Sequence, residues 1–126
     1  MRIQESGENY LETILLLKRK QGVVRSIDVA NAMGFSKPSI SRAMAILKEN
    51  GYLTVEPNGN LELTEKGIGT ATEVYERHRY ITAFLADVLG VSPETADADA
   101  CRIEHIISEE TFRAIKSSLQ AHTDDK

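Results

Sequence analysis

The sequence predicts a mostly α-helical fold carrying one small β-hairpin. Three observations predict it. Apolar residues recur at helical spacing over most of the 126 residues. Ser, Thr, Pro and Gly punctuate the chain at helix starts and stops. Two short alternating segments, YLTVE and NLELT, flank Pro57-Asn58-Gly59, a hairpin signal that occurs once.

The elements follow in order. Tyr10 to Lys20 (YLETILLLKRK) is rich in helix formers and stops near Gly22. Ser26 is placed to cap IDVANAM, which ends at Gly34. Ser36 is placed to cap the next helix, with Pro38 in its first turn, where a missing N–H costs nothing. Ile40, Met44 and Leu47 make its apolar stripe, which runs to Gly51. After the hairpin, Thr64 caps a long helix expected to reach residue 89, with an inner stripe of Ala71, Val74/Tyr75, His78, Ile81 and Leu85. Ser92-Pro93-Glu94 opens a helix expected to end near Ile107. Ser108 with Glu109 and Glu110 opens the last, with Phe112, Ile115 and Leu119 on one side. The tail AHTDDK reads as frayed, with no role for His122.

Composition narrows the class. Hydrophobic residues make up 41% and charged residues 27%, the balance of a globular chain with its own core. A single cysteine excludes an internal disulfide and suits a reducing compartment. No apolar run is long enough to span a membrane. The start carries Arg2, Glu5 and Glu8 before any apolar stretch, unlike a signal peptide, so a cytoplasmic protein is expected. The net charge of −4 hides an asymmetry. Residues 1–63 hold eight Lys/Arg against seven Asp/Glu, and residues 64–126 hold seven against twelve. The first half is therefore near neutral with basic spots, and the second is acidic.

Two short helices joined at Gly34-Phe35-Ser36 and followed by a hairpin have the arrangement of a winged helix-turn-helix. The domain is placed at residues 1–70, with a helical domain over 71–126. The second short helix is the expected recognition helix. Ser36, Lys37, Pro38, Ser39, Ser41 and Arg42 line its first turns. Hydroxyls and cations there suit phosphates and base edges. Arg42 has the reach for a bidentate guanine contact, and Lys37 suits a phosphate. Asn58 at the hairpin tip and Arg25 before the second helix complete the expected DNA-binding set. The same geometry also serves plain packing and protein binding.

A second constellation lies in Asp97-Ala-Asp-Ala-Cys101-Arg-Ile-Glu104-His105. Cys101, Glu104 and His105 stand at i, i+3 and i+4, and Asp97 one turn earlier, so a helix puts them on one face. A thiolate, a carboxylate and an imidazole together are metal donors. His78 interrupts an apolar stripe, and Asn9 and Glu12 flank the stripe of the first helix. Taken singly, Cys101 also reads as a small core residue, His78 as a hydrogen-bonded core histidine, and Glu104 and His105 as a solvated edge.

In this order the two constellations resemble the diphtheria toxin repressor family of iron- or manganese-dependent transcriptional regulators. The resemblance rests on ENYLETI, SKPSISRAM, LTEKG, ERHR and DACRIEHIIS, and covers nearly the whole chain. It implies a helical metal-binding and dimerisation domain after the winged helix. It also implies a homodimer that binds a palindromic operator of double-stranded DNA when metal is bound, repressing metal-uptake genes. His78, Cys101, Glu104 and His105 match family ligand positions. Glu12 matches a carboxylate of the manganese-type members. Asn9 stands where those members carry Asp and iron-type members Met. Thr82 and Asp97 stand where the iron type's ancillary site has Glu and His, so Asp97 is a candidate for a variant of it. The expectation is a short, two-domain member.

Cys101 favours Fe(II), Co(II), Ni(II) or Zn(II), whereas Glu12 and Glu104 suit Mn(II) or Fe(II). Fe(II) or Mn(II) is the expected cofactor, with Zn(II), Co(II) or Ni(II) able to substitute in vitro. The rival reading is a metal-independent winged-helix repressor that senses an organic ligand. No HExxH, nucleophile motif or phosphate-binding glycine loop occurs, so an enzyme is not expected.

Overall fold

Side-chain oxygens start four of the helices in the computed structural model, which describes residues 5–124. Helix α1 covers Glu5–Gln21, α2 Ser26–Met33, α3 Lys37–Glu49, α4 Glu65–Ala83, α5 Pro93–Ile103 and α6 Glu109–Asp124. The backbone N–H of Ser39 donates to Ser36 Oγ, that of Gly67 to Thr64 Oγ1, that of Thr95 to Ser92 Oγ and that of Thr111 to Ser108 Oγ. Each bond satisfies an N–H that the first helical turn leaves without a partner. The expected cap at Ser26 is displaced by one residue. Ser26 is the first residue of α2, and the Arg25 N–H donates to Asp28 Oδ2 at 2.8 Å, so an aspartate side chain closes this helix start.

The chain forms two units, Met1–Thr72 and Glu73–Lys126. In the first, Leu11, Ile14 and Leu15 of α1 pack with Val29 and Ala30 of α2 and with the α3 stripe Ile40, Met44 and Leu47. Tyr52, Leu53 and Leu61 of the hairpin close that core. Strands β1 (Leu53–Val55) and β2 (Leu61–Leu63) are antiparallel, with Leu53 opposite Leu63 and Val55 opposite Leu61. The Glu56 N–H donates to the Asn60 carbonyl at 2.9 Å, which leaves a three-residue loop of Pro57, Asn58 and Gly59 between them. The Gly59 N–H donates to the Glu56 carbonyl at 2.8 Å, Pro57 follows Glu56, and Gly59 takes φ 90°. Asn58 therefore keeps a negative φ, and the glycine alone supplies the left-handed residue that lets β2 leave in register. On the other side of β2, the Leu61 N–H donates to the Val24 carbonyl and Arg25 bridges Asn60. The segment before α2 is thus stitched to the wing.

In the second unit Ile81, Ala100 and Phe112 form a buried cluster, with Tyr80, Leu85, Ile103, Ile107 and Ile115 packed against it. Three expectations change here. The long helix does not stay α-helical to residue 89. It ends at Ala83 and passes into a π-helical turn, Phe84–Val88, closed by the Leu89 N–H on the Phe84 carbonyl. Helix α5 ends at Ile103 rather than near Ile107, because the His105 and Ile106 amides turn back to carbonyls three residues earlier, the tighter closure of a helix end. The tail expected to fray is helical as far as Asp124. No helix among the described residues is long and apolar enough to cross a membrane.

Candidate metal centre and nucleic-acid interface

The outer face of α3 is set by what its inner face buries. With Ile40, Met44 and Leu47 turned into the core, Lys37, Pro38, Ser41 and Arg42 are exposed and Ser39 is half-buried. Ser36 caps the helix, and its hydroxyl donates to Ser39 Oγ at 2.9 Å. Two cations and a ring of small side chains at a helix N-terminus make a surface suited to phosphate. At the wing, Asn58 Oδ1 accepts the Asn60 N–H and stiffens the turn. The Arg25 guanidinium lies over Gly59, so closely that a Cβ there would stand 2.7 Å from Nη2. Arg25 is thereby part of the wing as well as the start of α2.

The second unit builds a polar cluster around one buried carboxylate. Glu104 caps α5 and is fully buried. Its Oε2 accepts a hydrogen bond from His78 Nδ1 of α4 at 2.9 Å. His105 Nε2, with its side chain also buried, stands 3.2 Å from Oε1, within ion-pair reach but without hydrogen-bond alignment. The other His78 ring nitrogen, Nε2, pairs with Asp97 Oδ1 at 2.8 Å. His78 is 19% exposed and Asp97 68% exposed, so the imidazole separates a solvated carboxylate from a buried one. Burial pushes the Glu104 carboxyl up. The contacts and positive charges of His105 and His78 outweigh burial and hold it below the usual carboxylate range. Glu104 is therefore an anion in the interior of the second unit, with one oxygen lacking a hydrogen bond. That is a group a divalent cation satisfies.

Helix α4 grips the same turn a second time. Arg77 Nη1 donates to the Glu104 carbonyl at 3.4 Å, and Nη2 reaches Glu73 and Glu109. Arg77 was not among the candidate residues. Its local signal was the i, i+4 pairing with Glu73 and its place beside His78 in ERHR.

The other candidates are placed as follows. Glu12 is buried on α1, and Asn9 is half-buried on the same helix. Cys101 is exposed on α5 while Glu104, three residues on, is buried. The expected common face of Asp97, Cys101, Glu104 and His105 is accordingly split, with Asp97 and Cys101 toward solvent and the side chains of Glu104 and His105 buried. Cys101 is not a core residue, and Glu104 is not part of a solvated surface.

Residues 2–61 match the family model described as the iron dependent repressor, N-terminal DNA binding domain. Residues 64–126 match that of the iron dependent repressor, metal binding and dimerisation domain. An uncharacterized HTH-type transcriptional regulator of Methanocaldococcus jannaschii is 30% identical over 123 residues, covering 97% of this chain and 98% of its own. The transcriptional regulator MntR of Escherichia coli O157:H7 is 38% identical over 119 residues, 94% of this chain and 76% of that protein. Among solved structures, a manganese-dependent transcriptional repressor in complex with manganese has a TM-score of 0.83 at 26% identity. That match covers 90% of this chain, which spans about half (52%) of the solved one.

Proposed function

The chain belongs to the iron-dependent repressor family, and on that premise we propose that it is a metal-activated transcriptional repressor. In this reading Fe(II) or Mn(II) binding favours a homodimer that occupies a palindromic operator controlling metal-homeostasis genes. The observation that carries the metal half is Glu104, an ionised carboxylate that is fully buried, set between His78 and His105, with one oxygen free of hydrogen bonds. The donors we assign are Glu12, His78, Cys101, Glu104 and His105, with Asn9 beside Glu12 on α1. Carboxylate and imidazole donors suit both Mn(II) and Fe(II), and the Cys101 thiolate favours Fe(II). A bound divalent cation supplies neutralising charge to such donors.

On the DNA side, Lys37 meets backbone phosphate, Arg42 reads a base edge in the major groove, and Ser36, Ser39 and Ser41 allow close approach of α3. Arg25 and Asn58 present the wing to the backbone beside that groove. A dimer of winged domains reads two half-sites about one helical turn apart, so the operator carries the protein's two-fold symmetry. Metal and DNA affinities are reciprocally coupled.

The test is fluorescence anisotropy on a palindromic operator of the family type. Chelator-stripped protein is titrated anaerobically with Fe(II) and with Mn(II) in separate runs. Binding that requires metal supports the reading, and the more potent ion identifies the cofactor. Equal binding with and without metal refutes it and leaves a winged helix that does not sense metal.

A further inference from the structure

His78 is held by carboxylates on both ring nitrogens, and the two carboxylates differ in kind. Glu104, on Nδ1, is fully buried and keeps one oxygen without a hydrogen bond. Asp97, on Nε2, is 68% exposed, so its remaining lone pairs are open to solvent. A cation placed on the Glu104 side meets a buried oxygen that has His105 within ion-pair reach but no hydrogen bond. A cation placed on the Asp97 side gives up a solvated one. We propose that Asp97 is a positioning residue rather than a metal ligand. It accepts the Nε2–H of His78 and so fixes the ring with Nδ1 turned toward Glu104, where metal binds. This rests on the metal-binding reading above. A carboxylate behind a ligating histidine sets both the orientation of the ring and its donor strength.

The register of α5 makes the arrangement possible. Asp97 and Glu104 are two turns apart on one helix and its cap, so both reach α4 at His78. The Ser92 side chain takes the Thr95 N–H of the first α5 turn, and Asp97, beyond that turn, faces the imidazole.

The test uses Asp97→Ala and Asp97→Asn in the full chain. Asp97 is exposed, and unfolding curves matching wild type would show that both variants fold. With Mn(II) alone as titrant, Asp97→Ala should bind about 10- to 100-fold more weakly with unchanged stoichiometry. Asp97→Asn keeps an acceptor oxygen and should recover most of the loss. In isotope-labelled protein loaded with NMR-active Cd(II), scalar coupling should run to Nδ1 of His78, with Nε2 still protonated. Coupling to Nε2, a lost metal equivalent in Asp97→Ala, or unchanged affinity would each overturn the proposal. Wild-type chain that binds neither Mn(II) nor Cd(II) would overturn the metal-binding reading itself, and this inference with it.

Discussion

Replacing Gly67 by alanine should destabilise the protein, although the position is helical and alanine is the better helix former. Gly67 lies in the first turn of α4, where a Cβ would overlap the Tyr52 carbonyl oxygen and lie 3.0 Å from its carbon. That carbonyl accepts the Thr64 N–H at 3.1 Å, and the Thr64 hydroxyl donates to the Gly51 carbonyl at 2.6 Å. Either the helix start or the entry to β1 has to move, and this bond network goes with it. Overpacking costs about 1–3 kcal/mol, and a weakened hydrogen bond adds about 0.5–1.5 kcal/mol. Helix propensity returns at most about 1 kcal/mol. The net expectation is a loss of about 1–3 kcal/mol. Gly69 is the control. It is exposed two residues on, with nothing within 4 Å of a built Cβ, so Gly69→Ala should gain about 0.5–1 kcal/mol. Urea unfolding of the metal-free protein reads both as midpoint shifts at constant m. The two midpoints should fall on opposite sides of wild type. A Gly67→Ala midpoint at or above that of Gly69→Ala would refute the close-approach argument.

Glu104→Gln should weaken metal binding and metal-dependent operator binding together, measured by calorimetry and anisotropy; unchanged metal affinity would remove Glu104 from the site. The same variant tests pH. The Glu104 carboxyl is held below its usual range in the folded chain, so its stabilising contribution is complete above the ordinary carboxylate range and is lost as pH falls through the lower folded value. Urea midpoints of metal-free wild type should therefore drop on the acid side, and Glu104→Gln should lack that part of the drop. Arg77→Ala strips the Glu104 carbonyl of its side-chain donor and should cost about 1–3 kcal/mol in thermal or urea unfolding. On DNA, Lys37→Ala should weaken binding to all sequences and reduce the salt slope by about 1. Arg42→Ala should cost about 1–3 kcal/mol at the base it reads, seen as relaxed preference in a panel of single-base operator variants.

The features legible in the sequence are those whose cause lies within a few residues. Ser36, Thr64, Ser92 and Ser108 announce helix starts because the N–H each one receives belongs to the residue three positions on. The α3 stripe of Ile40, Met44 and Leu47 announces its inner face, and with it the outward placement of Lys37 and Arg42. Spacing also brought Glu104 and His105 together as candidate donors, because they are adjacent in the chain. Tertiary structure decided the rest. The burial of Glu104, the engagement of His78 by Asp97 and Glu104 across 19 and 26 residues, and the hold of Arg77 on a carbonyl 27 residues away depend on how α4 packs against α5. Periodicity assigns a residue to a face, but only packing decides whether that face meets solvent or another helix. This is why Cys101 and Glu104, a single turn apart, end on opposite sides of that boundary. Gly67 makes the same point: a glycine in a helix reads as a weakness until the fold brings the Tyr52 carbonyl into the space a side chain would need.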